Sequence, residues 1–137
     1  MRRNAPVQRV LEEFAGTWTV SRRILQDDGP EAGFEGQAVW TPQDGGLAYV
    51  ETGLLTIAGQ GRFAAERRYF WDADLRVHFD DGRFFHQVPP EGGRTGHWCD
   101  PDQYDVEYDF ADWPAFTTTW QVRGPRKSYR MTTGYRR

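Results

Sequence analysis

Three charged side chains stand where a strand would aim them inward. Neighbours on a β-strand point to opposite faces. In TWTVSRRI, Arg22 therefore shares a face with Trp18, Val20 and Ile24. In LAYVETGLLTI, Glu51 shares one with Leu47, Tyr49, Gly53, Leu55 and Ile57. In RFAAERRYFW, Arg67 goes with Phe63, Ala65, Tyr69 and Trp71, leaving Arg68 outside beside Glu66. An unpaired buried charge costs several kcal/mol, roughly, so such residues either pair or line a wet cavity. The chemistry on offer is anion recognition. An arginine fork grips a carboxylate, and a glutamate can hold one arginine in place. Tyr49, Tyr69, Tyr104 and Tyr108 would add hydroxyl donors, and Trp120 a wall.

The histidines extend the set. In RFFHQV we take Phe84, His86 and Val88 as inward and Arg83, Phe85 and Gln87 as outward. His97 and Cys99 share one side of their strand and Trp98 the other. A zinc site would want three or four ligands at a recognised spacing, which these residues lack, so no metal site is expected. No activating motif surrounds Cys99, which reads as a small buried hydrophobe. The FDDGR run reads as a hairpin turn rather than a calcium loop. The basic RGPRKSYRMTTGYRR reads as a solvated strand face, with DPDQYDVEYD to offset it.

These residues must be held by a β framework. Of 137 residues, 15% are aromatic, with 15 Gly and 8 Pro, a composition of strands, turns and ring-built interiors. One domain spanning 1–137 is expected at this length. VQRVLEEFAG places Val7, Val10, Leu11 and Phe14 at helical spacing, predicting one short helix. From Thr17 the period is two. Strands are predicted at 17–26, 33–41, 47–57, 62–71, 75–79, 83–88, 94–99, 104–110, 116–123 and 127–135. In the last, Lys127, Tyr129, Met131, Thr133 and Tyr135 share a face. Every connection is short enough for a hairpin. The expectation is therefore all-β: an antiparallel up-and-down barrel of about 8–10 strands, wide enough to hold a small ligand.

The net charge of −3 argues against a nucleic-acid partner. No stretch approaches the ~20 apolar residues of a membrane span. The basic start MRRNAP leads into no signal-peptide core, and Cys99 is the sole cysteine. A cytoplasmic protein with no membrane partner is expected, and a homodimer is compatible with the sequence.

Gly16 and Trp18 in GTW, before the first strand, resemble the Gly-x-Trp signature of the lipocalin and calycin group. That resemblance implies a basic residue near the last strand packed over Trp18, with Arg126, Lys127 and Arg130 as candidates. With RRYFW, FDDGR and GPRK, the chain also resembles an uncharacterised bacterial family with a lipocalin-like fold, a likeness that implies no activity. Some barrels of the group hold haem through a histidine, a role that would fall to His86 or His97. The polar inward residues argue against haem, and no cofactor is expected.

Three functions follow. The first is binding of a small anionic or polar–aromatic molecule in the lumen, with Arg22 and Arg67 on its negative group and Glu51 orienting an arginine. Tyr49, Tyr69, His86, His97, Tyr104, Tyr108 and Trp120 would line that site. The second, implied by decarboxylase- and cyclase-like members of the lipocalin-like barrels, is a cofactor-free enzyme using Glu51 or a histidine as acid–base group. The third is an interaction module with a filled barrel and an exposed aromatic patch near Trp98 and Trp113.

Overall fold

In a computed structural model, which describes residues 7–137, the chain forms ten antiparallel strands and almost no helix. The basic residues Arg2 and Arg3 lie outside the described part. The strands are β1 Gly16–Gln26, β2 Ala32–Gln43, β3 Gly46–Ile57, β4 Gly61–Trp71, β5 Arg76–Phe79, β6 Phe84–Gln87, β7 Gly93–Cys99, β8 Asp102–Asp109, β9 Phe116–Arg123 and β10 Ser128–Arg136. They make one sheet in the order β6-β5-β4-β3-β2-β1-β10-β9-β8-β7. Pairing of β1 with β10 curls the sheet into a nearly closed up-and-down barrel. The circle of hydrogen bonds stops at β6 and β7, the two edges of the sheet. No helix among the described residues is long and apolar enough to cross a membrane.

Local sequence explains most of these elements. Between β2 and β3, Asp44 and Gly45 both take positive φ, 49° and 79°, the mirror-image turn that matches strand twist and that Asp-Gly favours. In β8, Val106 and Tyr108 are buried while Asp105, Glu107 and Asp109 face water.

The predicted helix contracts to a single 3-10 turn, Leu11–Phe14. Leu11 and Phe14 are buried, whereas Val7 and Val10 are exposed, so half of the expected apolar stripe packs against nothing. The turn delivers Phe14 into the bottom of the barrel. Its ring meets Trp71 and Trp113 at 5.1 Å, Phe116 at 5.6 Å and Trp40 at 5.9 Å. Trp18 is fully buried and donates its indole N–H to the Phe14 carbonyl at 2.9 Å.

The basic residue over Trp18 is Arg137, not Arg126, Lys127 or Arg130. Its guanidinium carbon sits 4.3 Å from the ring centroid, and it donates hydrogen bonds to the carbonyls of Ala15 and Glu13. The strand β10 pairs with β1 out to Arg136, which brings the next residue, not the preceding hairpin, to the closed end. Lys127 likewise leaves the inward face assigned to it. It precedes β10, is exposed, and binds Asp102 at 3.4 Å.

Candidate functional site

Above the aromatic floor, the interior turns polar. Arg22 of β1 and Glu51 of β3 are 6% and 1% exposed and form a two-pronged ion pair. Arg22 donates from Nη1 to Glu51 Oε2 at 2.6 Å and from Nη2 to Oε1 at 2.7 Å. Its Nε donates to Thr133 Oγ1 at 2.8 Å. Tyr49 gives its hydroxyl proton to Glu51 at 2.5 Å, which leaves Tyr135 to donate to Tyr49 at 3.1 Å. Burial alone would lower the Arg22 pKa, but the hydrogen bonds and charge of Glu51 outweigh it and hold the guanidinium protonated. Burial alone would raise the Glu51 pKa, but Arg22, Tyr49 and the charge of Arg67 bring it below the usual carboxylate range. Every polar atom of the Arg22–Glu51 pair is engaged or compensated, so the cluster ties β1, β3 and β10 together.

Arg67 differs. It lies opposite Glu51 in the β3–β4 ladder, but both Glu51 oxygens are already taken. Among the described residues Arg67 has no carboxylate partner. Its guanidinium carbon lies 5.8 Å from the centroid of Trp120, and the residue is half-buried. It borders two spaces. One is an interior cavity of about 30 Å³ shared with Arg22, Tyr49, Glu51, Tyr69, His86 and Trp120. The other is an open cleft of about 460 Å³ with Arg68, Tyr69, Phe79, Asp80 and Asp81. Because β5 pairs only with Tyr69–Trp71 of β4, the earlier part of β4 has a bare edge there.

His86 is 2% exposed. Its Nε2 pairs with the Tyr108 hydroxyl at 2.8 Å, while its Nδ1 has no partner among the described residues. Burial, with the charge of His97 second, drives its pKa down to about 3, so the imidazole is neutral at physiological pH. Burial lifts the Tyr108 and Tyr69 hydroxyls above their ordinary range, with Arg67 opposing the shift at Tyr69.

The structure corrects the faces of β6. Phe84 is exposed, and Phe85 and His86 are both buried. A register shift at Val77/His78 pairs Val77 with His86 and His78 with Phe84, leaving Phe85 unopposed. Such a bulge aims two successive side chains to one side. The alternation in DGRFFHQV offered one hint: three consecutive residues are each plausible core. His97 and Tyr104 do not line the interior cavity; they pack against the Phe85 ring at 5.6 and 5.5 Å. Tyr108 does not line the cavity either; it reaches the site through its hydrogen bond to His86 and its packing on Trp71. Thr118, Thr133 and Tyr135 complete the polar interior.

A cavity of about 30 Å³ has room for a water or two and for no organic ligand, smaller than the sequence suggested. Larger hollows lie on the outer wall, such as the one between Arg94, Asp105, Gln121, Arg123 and Arg130. Trp98 is exposed, whereas Trp113 lies at the closed end under Arg9, 4.5 Å away, so the two do not form one patch. No group of three or more His, Cys, Asp or Glu among the described residues is placed to hold a metal ion.

Among solved structures, the barrel is similar to the S-type phycobiliprotein lyase CPES from Guillardia theta, with a TM-score of 0.64 and 8% sequence identity. The match covers 93% of this chain and 89% of that one, a likeness of fold. No curated protein matches the sequence. One family model does, over residues 14–137, nearly the whole of the barrel and its floor, and the chain belongs to that family, DUF6314, a family of unknown function.

Proposed function

We propose that this barrel binds a small anionic, ring-bearing molecule in its upper lumen, with Arg67 on the negative group and Trp120 and Tyr69 as walls. One observation carries the reading: of the two inward arginines, Arg22 is saturated by Glu51 and Thr133, while Arg67 sits over an aromatic ring with no carboxylate partner. A guanidinium left this way is a standing receptor for a carboxylate. The engaged oxygens of Glu51 count against its use as an acid–base group, so the reading favours binding over cofactor-free catalysis. The present cavity of about 30 Å³ is smaller than even a single-ring acid, so a lining side chain must give way on binding, and the smallest acids come first.

The test is calorimetric titration with benzoate, phenylacetate and 4-hydroxybenzoate, set against neutral benzyl alcohol. Binding of the acids should weaken about 10- to 100-fold in Arg67→Met, the loss of one charge-assisted contact. Equal affinity in the variant would remove Arg67 from the site, and mass spectrometry of the same mixtures would reveal any turnover.

A further inference from the structure

Phe85 is a buried ring packed among the other rings of the upper lumen. It is 1% exposed, yet it sits on an edge strand, one of the two shortest of the barrel. The strand β6 has four residues, pairs with β5 alone, and carries its bulge at Phe85. The side facing β7 has no ladder. On the other side the segment is laddered to β5 at Phe84, His86 and Gln87, and beyond the ladder Phe79 N–H donates to the Arg83 carbonyl and Val88 N–H to that of Leu75, each at 2.8 Å. The Phe85 ring nonetheless lies at the centre of the upper lumen. It stacks on Phe79 at 4.6 Å and meets Trp120 at 5.2 Å, Tyr104 at 5.5 Å, His97 at 5.6 Å and Tyr69 at 6.0 Å. Arg67 stands over the same Trp120. Arg67, Phe85 and Trp120 line the same cavity of about 30 Å³.

We infer that Phe85 is a built-in stand-in for the ligand: the guest is an aromatic carboxylate whose ring displaces that of Phe85 from Trp120 and Tyr69 and whose carboxylate meets Arg67. This rests on the binding reading above and adds to it the class of guest and the residue that opposes entry. The route in is the gap between β6 and β7, where no backbone ladder need break. The closed form is the resting state because Phe85 satisfies the rings; it leaves the guanidinium without a carboxylate partner among the described residues, and a ring without a carboxylate gains nothing that Phe85 does not already supply.

The inference is tested by emptying the seat. If the open form holds about 1–10% of the population, apparent affinity is reduced by that fraction. Phe85→Ala should then bind benzoate about 10- to 100-fold more tightly than wild type, read by titration calorimetry. Adding Arg67→Met to Phe85→Ala should remove the preference for benzoate over benzyl alcohol while leaving benzyl alcohol bound. Where Phe85→Ala does not fold, Phe85→Leu, which removes the ring and keeps a branched apolar side chain, carries the same comparison. Benzoate binding wild type as tightly as the Phe85 variant overturns the stand-in role and leaves the binding reading intact. Benzoate binding neither protein overturns both.

Discussion

Arg22 and Arg67 both point into one barrel, Arg22 buried and Arg67 half-buried, and what separates their partners is the allocation of a single glutamate. Glu51 has two oxygens; Arg22 takes both and Tyr49 shares one. That makes Arg22 a tie between strands and leaves Arg67 without a carboxylate among the described residues. The cost of disturbing the tie is calculable in kind. Removing one partner of a buried pair strands the other charge, at about 3–5 kcal/mol. Glu51→Leu alone should lower the urea-unfolding free energy by that order, whereas Arg22→Met with Glu51→Leu should recover much of the loss, because no buried charge then remains. A double variant as unstable as the single would show that the hydrogen bonds to Tyr49 and Thr133, rather than the charges, carry the cluster.

At the scale of elements, the register of β2 on β3 is held by a close approach of backbones. Gly36 and Gly53 face each other across that ladder. A Cβ on Gly53 would stand 2.3 Å from the Glu35 carbonyl oxygen and 2.7 Å from the Phe34 ring, and one on Gly36 would stand 2.1 Å from the Thr52 oxygen. The tight crossing lets Phe34 lie beneath Arg22, 5.2 Å from its guanidinium carbon. Gly53→Ala should therefore destabilise by about 1–3 kcal/mol as the strands are forced apart. Gly134→Ala on β10, where the nearest atom is 3.9 Å away, should shift stability by less than about 0.5 kcal/mol. Equal denaturation midpoints for the two variants would refute the close-approach account. Elements of this kind were legible where local chemistry decides them. Alternation placed Arg22, Glu51 and Arg67 on inward faces, and Asp-Gly announced a hairpin. Two features were not legible because they depend on what packs from afar. The bulge at Phe85 breaks parity without any Gly or Pro to mark it. The residue over Trp18 is chosen by how far β10 runs along β1, which no spacing within GPRKSYR encodes. The saturation of Glu51 was likewise hidden, since parity says which way a side chain points and nothing about which neighbour reaches it first.

At the scale of the whole molecule, the barrel has a dry aromatic floor around Phe14 and a polar, titratable storey above it, so its stability should depend on pH in a way the floor alone would not. The decisive group is His86, buried with one ring nitrogen unpaired and with its pKa pushed down to about 3. In the unfolded chain a histidine takes a proton near 6.5. Between those values the unfolded state binds a proton that the folded state refuses, so stability is greatest above about pH 6.5 and declines as pH falls toward 3, by about 1.4 kcal/mol per unit. Glu51 acts in a lower window. Its folded pKa is depressed, so its contribution is present above the ordinary carboxylate range, near 4.3, and is lost only as pH falls below it. Between pH 7.5 and 5 the carboxylates are therefore silent and the decline comes from histidines: His97, whose pKa burial also lowers, adds to it, and wild type should lose about 2 kcal/mol from His86 over that interval. His86→Phe should be less stable at pH 7.5, since Tyr108 loses its partner, but should lose less than wild type by about that amount on acidification. Parallel declines in wild type and variant, measured by urea unfolding at the two pH values, would mean that His86 accepts its proton within the fold, and that its buried Nδ1 has water or a neighbour to receive it.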